Sequence, residues 1–152
     1  MDPNLDPVAL EYLSEQRVAH VGVIDGSEPY ITPLSFVIDG SNLMFRTHVG
    51  RRIEAIRLSP RVCIEASSYD ETSFEWFSVI AWGNAREATE IETARCLELL
   101  FDKYRDQYAS PVSMSRPEIP GGMIKVIIVP IDRLTSATSS GFLQPLMRPG
   151  RL

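Results

Sequence analysis

Residues 43–62, LMFRTHVGRRIEAIRLSPRV, hold five of the chain's 15 Lys and Arg residues against one acid, Glu54, in a chain of formal net charge -5. Residues 43–49 read as a strand that ends at Gly50, and residues 51–58 read as a short helix stopped by Ser59 and Pro60. Arginines therefore stand at the end of a strand and in the first turn of a helix. Unpaired backbone N–H groups and the positive end of the helix dipole attract anions there, and Arg46, Arg51 and Arg52 can add charge-assisted hydrogen bonds. The same residues also fit the solvated face of an amphipathic helix, which suits Arg57 and Arg61. Charge pattern alone leaves the trio at 46, 51 and 52 open between these readings.

Upstream, Asp6 followed by Pro7 marks a helix start, with Leu10 and Leu13 as its apolar stripe to about Gln16. Residues 17–25, RVAHVGVID, and 30–39, YITPLSFVID, are β-branched runs bounded by turn residues. With residues 43–49 they make three strands whose short connections require antiparallel neighbours. Pro33 cannot donate to a ladder, so the second strand is expected to be interrupted there or to lie at an edge. Around it, Thr32, Leu34, Ser35 and Phe36 are placed to offer backbone groups to a flat ligand.

Downstream, residues 61–67 predict a fourth strand and residues 74–87, FEWFSVIAWGNARE, a long fifth one. On one face of the fifth, Val79, Ala81, Gly83 and Ala85 are small, which predicts close packing of a strand or a ligand. Thr89 and Glu92 form a capping box for a helix over residues 90–105, with a stripe of Ile91, Ala94, Leu97, Leu100 or Phe101, and Tyr104. Residues 106–122 read as a long loop of the kind that carries function or contacts a partner. Residues 123–131 give the last strand, extending to about Ser136. The tail, residues 139–152, with Phe142, Leu143, Leu146 and Met147, packs on a neighbouring subunit or moves. The sum is an α+β fold, mainly β: one domain over residues 1–152, with six mostly antiparallel strands closing into a small barrel and about three helices.

At 152 residues, 44% hydrophobic and 23% charged, the composition is that of a globular protein. No apolar run approaches a bilayer span and the first residues are acidic, so the expectation is a cytoplasmic protein with no membrane association. The acidic balance argues against nucleic acid as a partner. Cys63 and Cys96 form no disulfide framework, and His20 and His48 stand apart, so no metal site is expected. No nucleophile–base set is visible by spacing.

Three segments, RVAHVGVIDGSEPYITPLSFVIDG, LMFRTHVGRRIEAIRLSPRVCIEA and EWFSVIAWGNARE, resemble in type and order the pyridoxamine 5′-phosphate oxidase-like proteins of the FMN-binding split-barrel superfamily. The resemblance implies a homodimer of split barrels with FMN at the interface. It implies that Arg46, Thr47, Arg51 and Arg52 hold the FMN phosphate, that Pro33, Leu34, Ser35 and Phe36 lie along the isoalloxazine ring, and that Trp82, or Trp76, borders the cofactor from across the interface. It settles the open reading of the arginines in favour of phosphate. It further implies an FMN-dependent oxidoreductase using a small-molecule substrate and an electron donor, with the flavin, not a side chain, carrying the chemistry. Members that oxidise vitamin B6 phosphates carry an arginine-rich C-terminal arm that LMRPGRL does not match. Within the same resemblance the alternatives are a non-catalytic flavin- or haem-binding protein and an oxidoreductase using a deazaflavin.

Overall fold

The computed structural model describes residues 5–108 and 123–139. The elements run α1 (Pro7–Glu15), β1 (Ala19–Asp25), β2 (Glu28–Leu34), β3 (Val37–Asp39), β4 (Asn42–His48), α2 (Arg51–Leu58), β5 (Arg61–Asp70) and β6 (Glu75–Asn84). They continue with β7 (Arg86–Glu87), α3 (Glu90–Lys103), α4 (Arg105–Tyr108) and β8 (Ile124–Thr138). Every strand pairing is antiparallel, and the strand order is β2-β1-β5-β6-β8-β4-β3, with β7 beside β8.

This is the mainly β fold with helices that the sequence predicts, but with eight strands among the described residues in place of six and with the sheet left open. The expected second strand divides. Its first part, β2, pairs with β1 at one edge, and its second part, β3, pairs with β4 at the opposite edge. Ser35 and Phe36 carry the chain between the two edges, so the barrel is split along that seam. Pro33 stays within β2, opposite His20, on an edge strand where its missing donor is tolerated. The expected fifth strand divides as well, at Ala85, whose N–H bonds to Pro60 O at 2.8 Å.

β8 holds the two ends of the order together. Residues 124–130 pair with β4, and residues 131–138 pair with β6. The small face of β6 serves this approach: Val79, Ala81 and Ala85 are buried, and a Cβ at Gly83 would overlap the Pro130 carbonyl and come within 2.7 Å of Val129 Cγ1. Strand, not ligand, is what packs there.

The main core fills the barrel with Val21, Val23, Leu43, Phe45, Ile64, Val79, Ile127 and Val129, and α1 contributes Leu10 and Leu13. A second cluster lies between α3 and the far face of β3, β4 and β8, where Cys96, Leu100 and Tyr104 meet Val37, Met44, Val126 and Ile128. The capping box of Thr89 and Glu92 forms in full. The buried line on α3 is the i, i+4, i+8 row of 96, 100 and 104. Of the predicted stripe, Leu100 and Tyr104 belong to this buried row, whereas Ile91, 83% exposed, and Ala94, Leu97 and Phe101 lie on the exposed side. α4 occupies the start of the expected long loop. The rest of that loop, residues 109–122, and the tail from residue 140 lie outside the described residues. Among the described residues, no helix is long and apolar enough to cross a membrane.

Candidate functional site

β4 delivers its side chains alternately to the two sides of the sheet. Leu43, Phe45 and Thr47 face the main core, whereas Met44, and with it Arg46 and His48, faces the α3 side. Arg46 and Thr47 are therefore not brought together. Burial pushes the Cys96 thiol up to about 11, against the pull of the Arg46 charge. Near the end of β4, the buried Thr47 donates through Oγ1 to His48 O at 3.2 Å and accepts from Arg52 Nη1 at 3.1 Å.

Arg52 is the centre of the cluster. Its Nε donates to Thr32 Oγ1 at 2.9 Å, Nη2 reaches the same oxygen, and Nη2 also lies 3.4 Å from Pro33 O. Among the described residues it forms no ion pair, and partial burial pulls its pKa below the usual arginine value. A cation so placed retains an uncompensated charge and satisfies its donors only with neutral oxygens. α2 begins immediately beside it with Gly50 as N-cap and no side-chain cap, leaving the first-turn N–H groups without intrahelical acceptors. A Cβ at Gly50 would meet nothing within 4 Å, so the approach to that turn is open. Helix terminus, guanidinium and hydroxyls together suit a phosphate-sized anion.

Arg51 has different company. It is paired with Asp25, its Nη2 is 3.8 Å from Glu28 Oε2, and its Cζ stands 4.3 Å from the centroid of the Tyr30 ring. The pairing raises its pKa, with the Asp25 hydrogen bond as the largest cause.

The predicted ring segment lies at the split of the barrel and touches the cluster through Pro33 O. Pro33 and Ser35 are exposed, whereas Leu34 and Phe36 are buried in the core. The Phe36 backbone, expected to lie along the ring, is engaged within the chain. Its N–H donates to Tyr104 Oη at 3.1 Å, and that phenol in turn serves Arg17 O at 2.8 Å or Phe36 O at 3.1 Å. Lys103 closes the same corner: Nζ donates to Gln16 O at 2.6 Å and lies 4.0 Å from the Phe36 ring centroid. Burial, with Arg17 adding to it, draws the Lys103 ammonium down to about 8.

Trp82 lies on the outer face of β6, between Cys63 and Arg133 in register, with Arg133 Cζ 3.9 Å above its ring. It is not part of the Arg52 cluster within one chain. Trp76 lines an open groove of about 440 Å³ with Tyr69, Asp70, Glu75 and Ser139 at the far end of the β5–β6 hairpin. Sequence reasoning missed the hydroxyl of Thr32 and the phenol of Tyr104. Thr32 carried a signal, since it shares the inward face of β2 with Tyr30 and Leu34.

Residues 6–137 match the sequence profile described as pyridoxamine 5′-phosphate oxidase. No curated protein matches the chain. An FAD-binding protein from Mesorhizobium loti superposes with a TM-score of 0.67 at 18% identity, covering 87% of this chain and 94% of that one. A candidate 5-nitroimidazole antibiotic resistance protein from Bacteroides thetaiotaomicron gives 0.66 at 20% identity, covering 88% and 84%. An FAD and haem binding protein from Mycobacterium smegmatis gives 0.66 at 14%, covering 86% and 70%. At these identities the likeness to the solved structures is one of fold. With most of its length inside the matched profile, the chain belongs to the pyridoxamine 5′-phosphate oxidase family.

Proposed function

We propose that the chain is a flavin-binding protein that holds FMN and acts, as a homodimer, as an FMN-dependent oxidoreductase on a small molecule. The observation that carries the reading is Arg52: a partly buried guanidinium in no ion pair among the described residues, beside two threonine hydroxyls and an uncapped helix N-terminus. Family membership supports it, as do the FAD-binding proteins among the structural neighbours. When bound, the flavin supplies the electron transfer with a nicotinamide or other donor and with the substrate. The chain's own residues bind and orient it. Arg52, Thr47 and Thr32 take the phosphate, with the first-turn N–H groups of α2 alongside. The exposed edge at Pro33 and Ser35 borders the ring. Trp82, outward-facing, is available to a second copy of the chain.

The test is the visible spectrum of freshly purified protein, then mass spectrometry of what denaturation releases. The expected result is a flavin spectrum and released FMN, followed by turnover with a reductant and a panel of nitroaromatic, quinone and oxygen acceptors. Released FAD, a deazaflavin or haem would replace FMN in the reading. Bound flavin without turnover on any acceptor would leave a carrier or sensor. A colourless protein that binds none of these when they are added would overturn it.

A further inference from the structure

The first turn of α2 sets two arginines side by side and ties both to the β1–β2 hairpin by different chemistry. Arg52 meets hydroxyls at Thr32 and Thr47. Arg51 meets carboxylates: Asp25, which ends β1, and Glu28, which opens β2 directly opposite it in register. Tyr30, two residues before Thr32 on the same face of β2, stacks under the Arg51 guanidinium. An arginine whose charge is already met by an acid and an aromatic face offers an incoming anion less net charge than Arg52, which is in no ion pair among the described residues. The same contacts join the first residue of α2 to the hairpin.

We infer that Arg51 is a positioning residue and not a phosphate ligand: with Asp25 and Tyr30 it pins the N-terminus of α2 to the hairpin, and this aims Arg52 and the first-turn N–H groups at one point. The inference rests on the phosphate reading above and assigns Asp25 a part in it. A direct role for Arg51 predicts the opposite sign at Asp25. There the acid would compete with phosphate for the arginine, and neutralising it would strengthen binding.

The experiment measures dissociation constants for FMN and riboflavin by fluorescence titration of protein freed of bound flavin. It compares wild type with Asp25→Asn, Arg51→Gln, the double variant, and the charge-swapped pair Asp25→Arg with Arg51→Asp. Riboflavin lacks the phosphate, so the ratio of the two constants reports the phosphate contribution, which a general loss of stability does not move. Asp25→Asn and Arg51→Gln should each cut the preference for FMN, by about three- to tenfold for one shared contact, with the double variant no worse than either single one. The charge swap should recover part of the loss. A preference that rises in Asp25→Asn while it falls in Arg51→Gln would overturn the inference, as would additive losses or no change in either. If Arg51→Gln does not fold, the sign at Asp25→Asn decides alone. A wild type with no preference for FMN over riboflavin overturns the phosphate reading itself, and this inference with it.

Discussion

The two arginines at the start of α2 have the same side chain and opposite surroundings, so they respond differently to substitution. Arg52→Ala removes a cation that no acid among the described residues balances. It should weaken FMN by about 1–3 kcal/mol, the range for a charge-assisted hydrogen bond, and leave riboflavin nearly unchanged by titration. Tyr104→Phe acts on the fold instead. It takes the hydroxyl from the buried N–H and C=O of Phe36 and should cost about 1–3 kcal/mol in denaturant unfolding with an unaltered m value. Arg52 and Thr47 were legible in the sequence because they lie within five residues of each other, across a strand-to-helix junction. Thr32, Asp25 and Tyr104 join the neighbourhood through bonds spanning 20, 26 and 68 positions, which no local pattern encodes. Arg46 lies on the other side of β4 from Thr47, because the two-residue period of a strand turns it toward α3.

Elements with a local chemical signature are the ones the sequence predicts best. The capping box of α3 depends on Thr89 and Glu92 and forms as read, with Arg86 also clasping Glu92. The Arg86 bond and the Thr89 N–H hold the Glu92 carboxyl down at about 2, below its ordinary value of 4.5. A carboxylate with a depressed native pKa stabilises the fold above the unfolded-state value and loses that contribution as pH falls. The stability gap between wild type and Glu92→Gln should therefore be full at pH 6 and close between about pH 4.5 and 2, as thermal melts would show. Gly83→Ala tests the close approach of β8 to β6. The overlap with Pro130 should cost about 1–3 kcal/mol and lower the melting temperature. The division of the second strand was only half legible. Pro33 signals a disturbance, but the break comes two residues later, at Ser35, because what ends β2 is the passage of the chain to the other edge of the sheet. That passage depends on β5, β6 and β8, later strands that stand between the two edges.

For the whole molecule, the proposed homodimer predicts a light-scattering mass near twice the 17.0 kDa of one chain, whether or not flavin is bound. The class of fold was legible from the alternation of short β-branched runs and turns. The strand order was not, because pairings such as Asn42 with Pro130 are fixed by burial in three dimensions and leave no trace in local composition. The place of β8 in that order has a consequence for how the protein is made. Before residues 124–138 have been synthesised, the nascent chain can form the sheet β2-β1-β5-β6 and, separately, the hairpin β3-β4, with no ladder between them. β6 and β4 then each present a bare edge to their surroundings, the kind of surface that recruits strands from other chains. Assembly therefore waits on the last described strand to arrive. A ribosome stalled before Ile124 would release a product prone to aggregation, in place of a smaller folded protein.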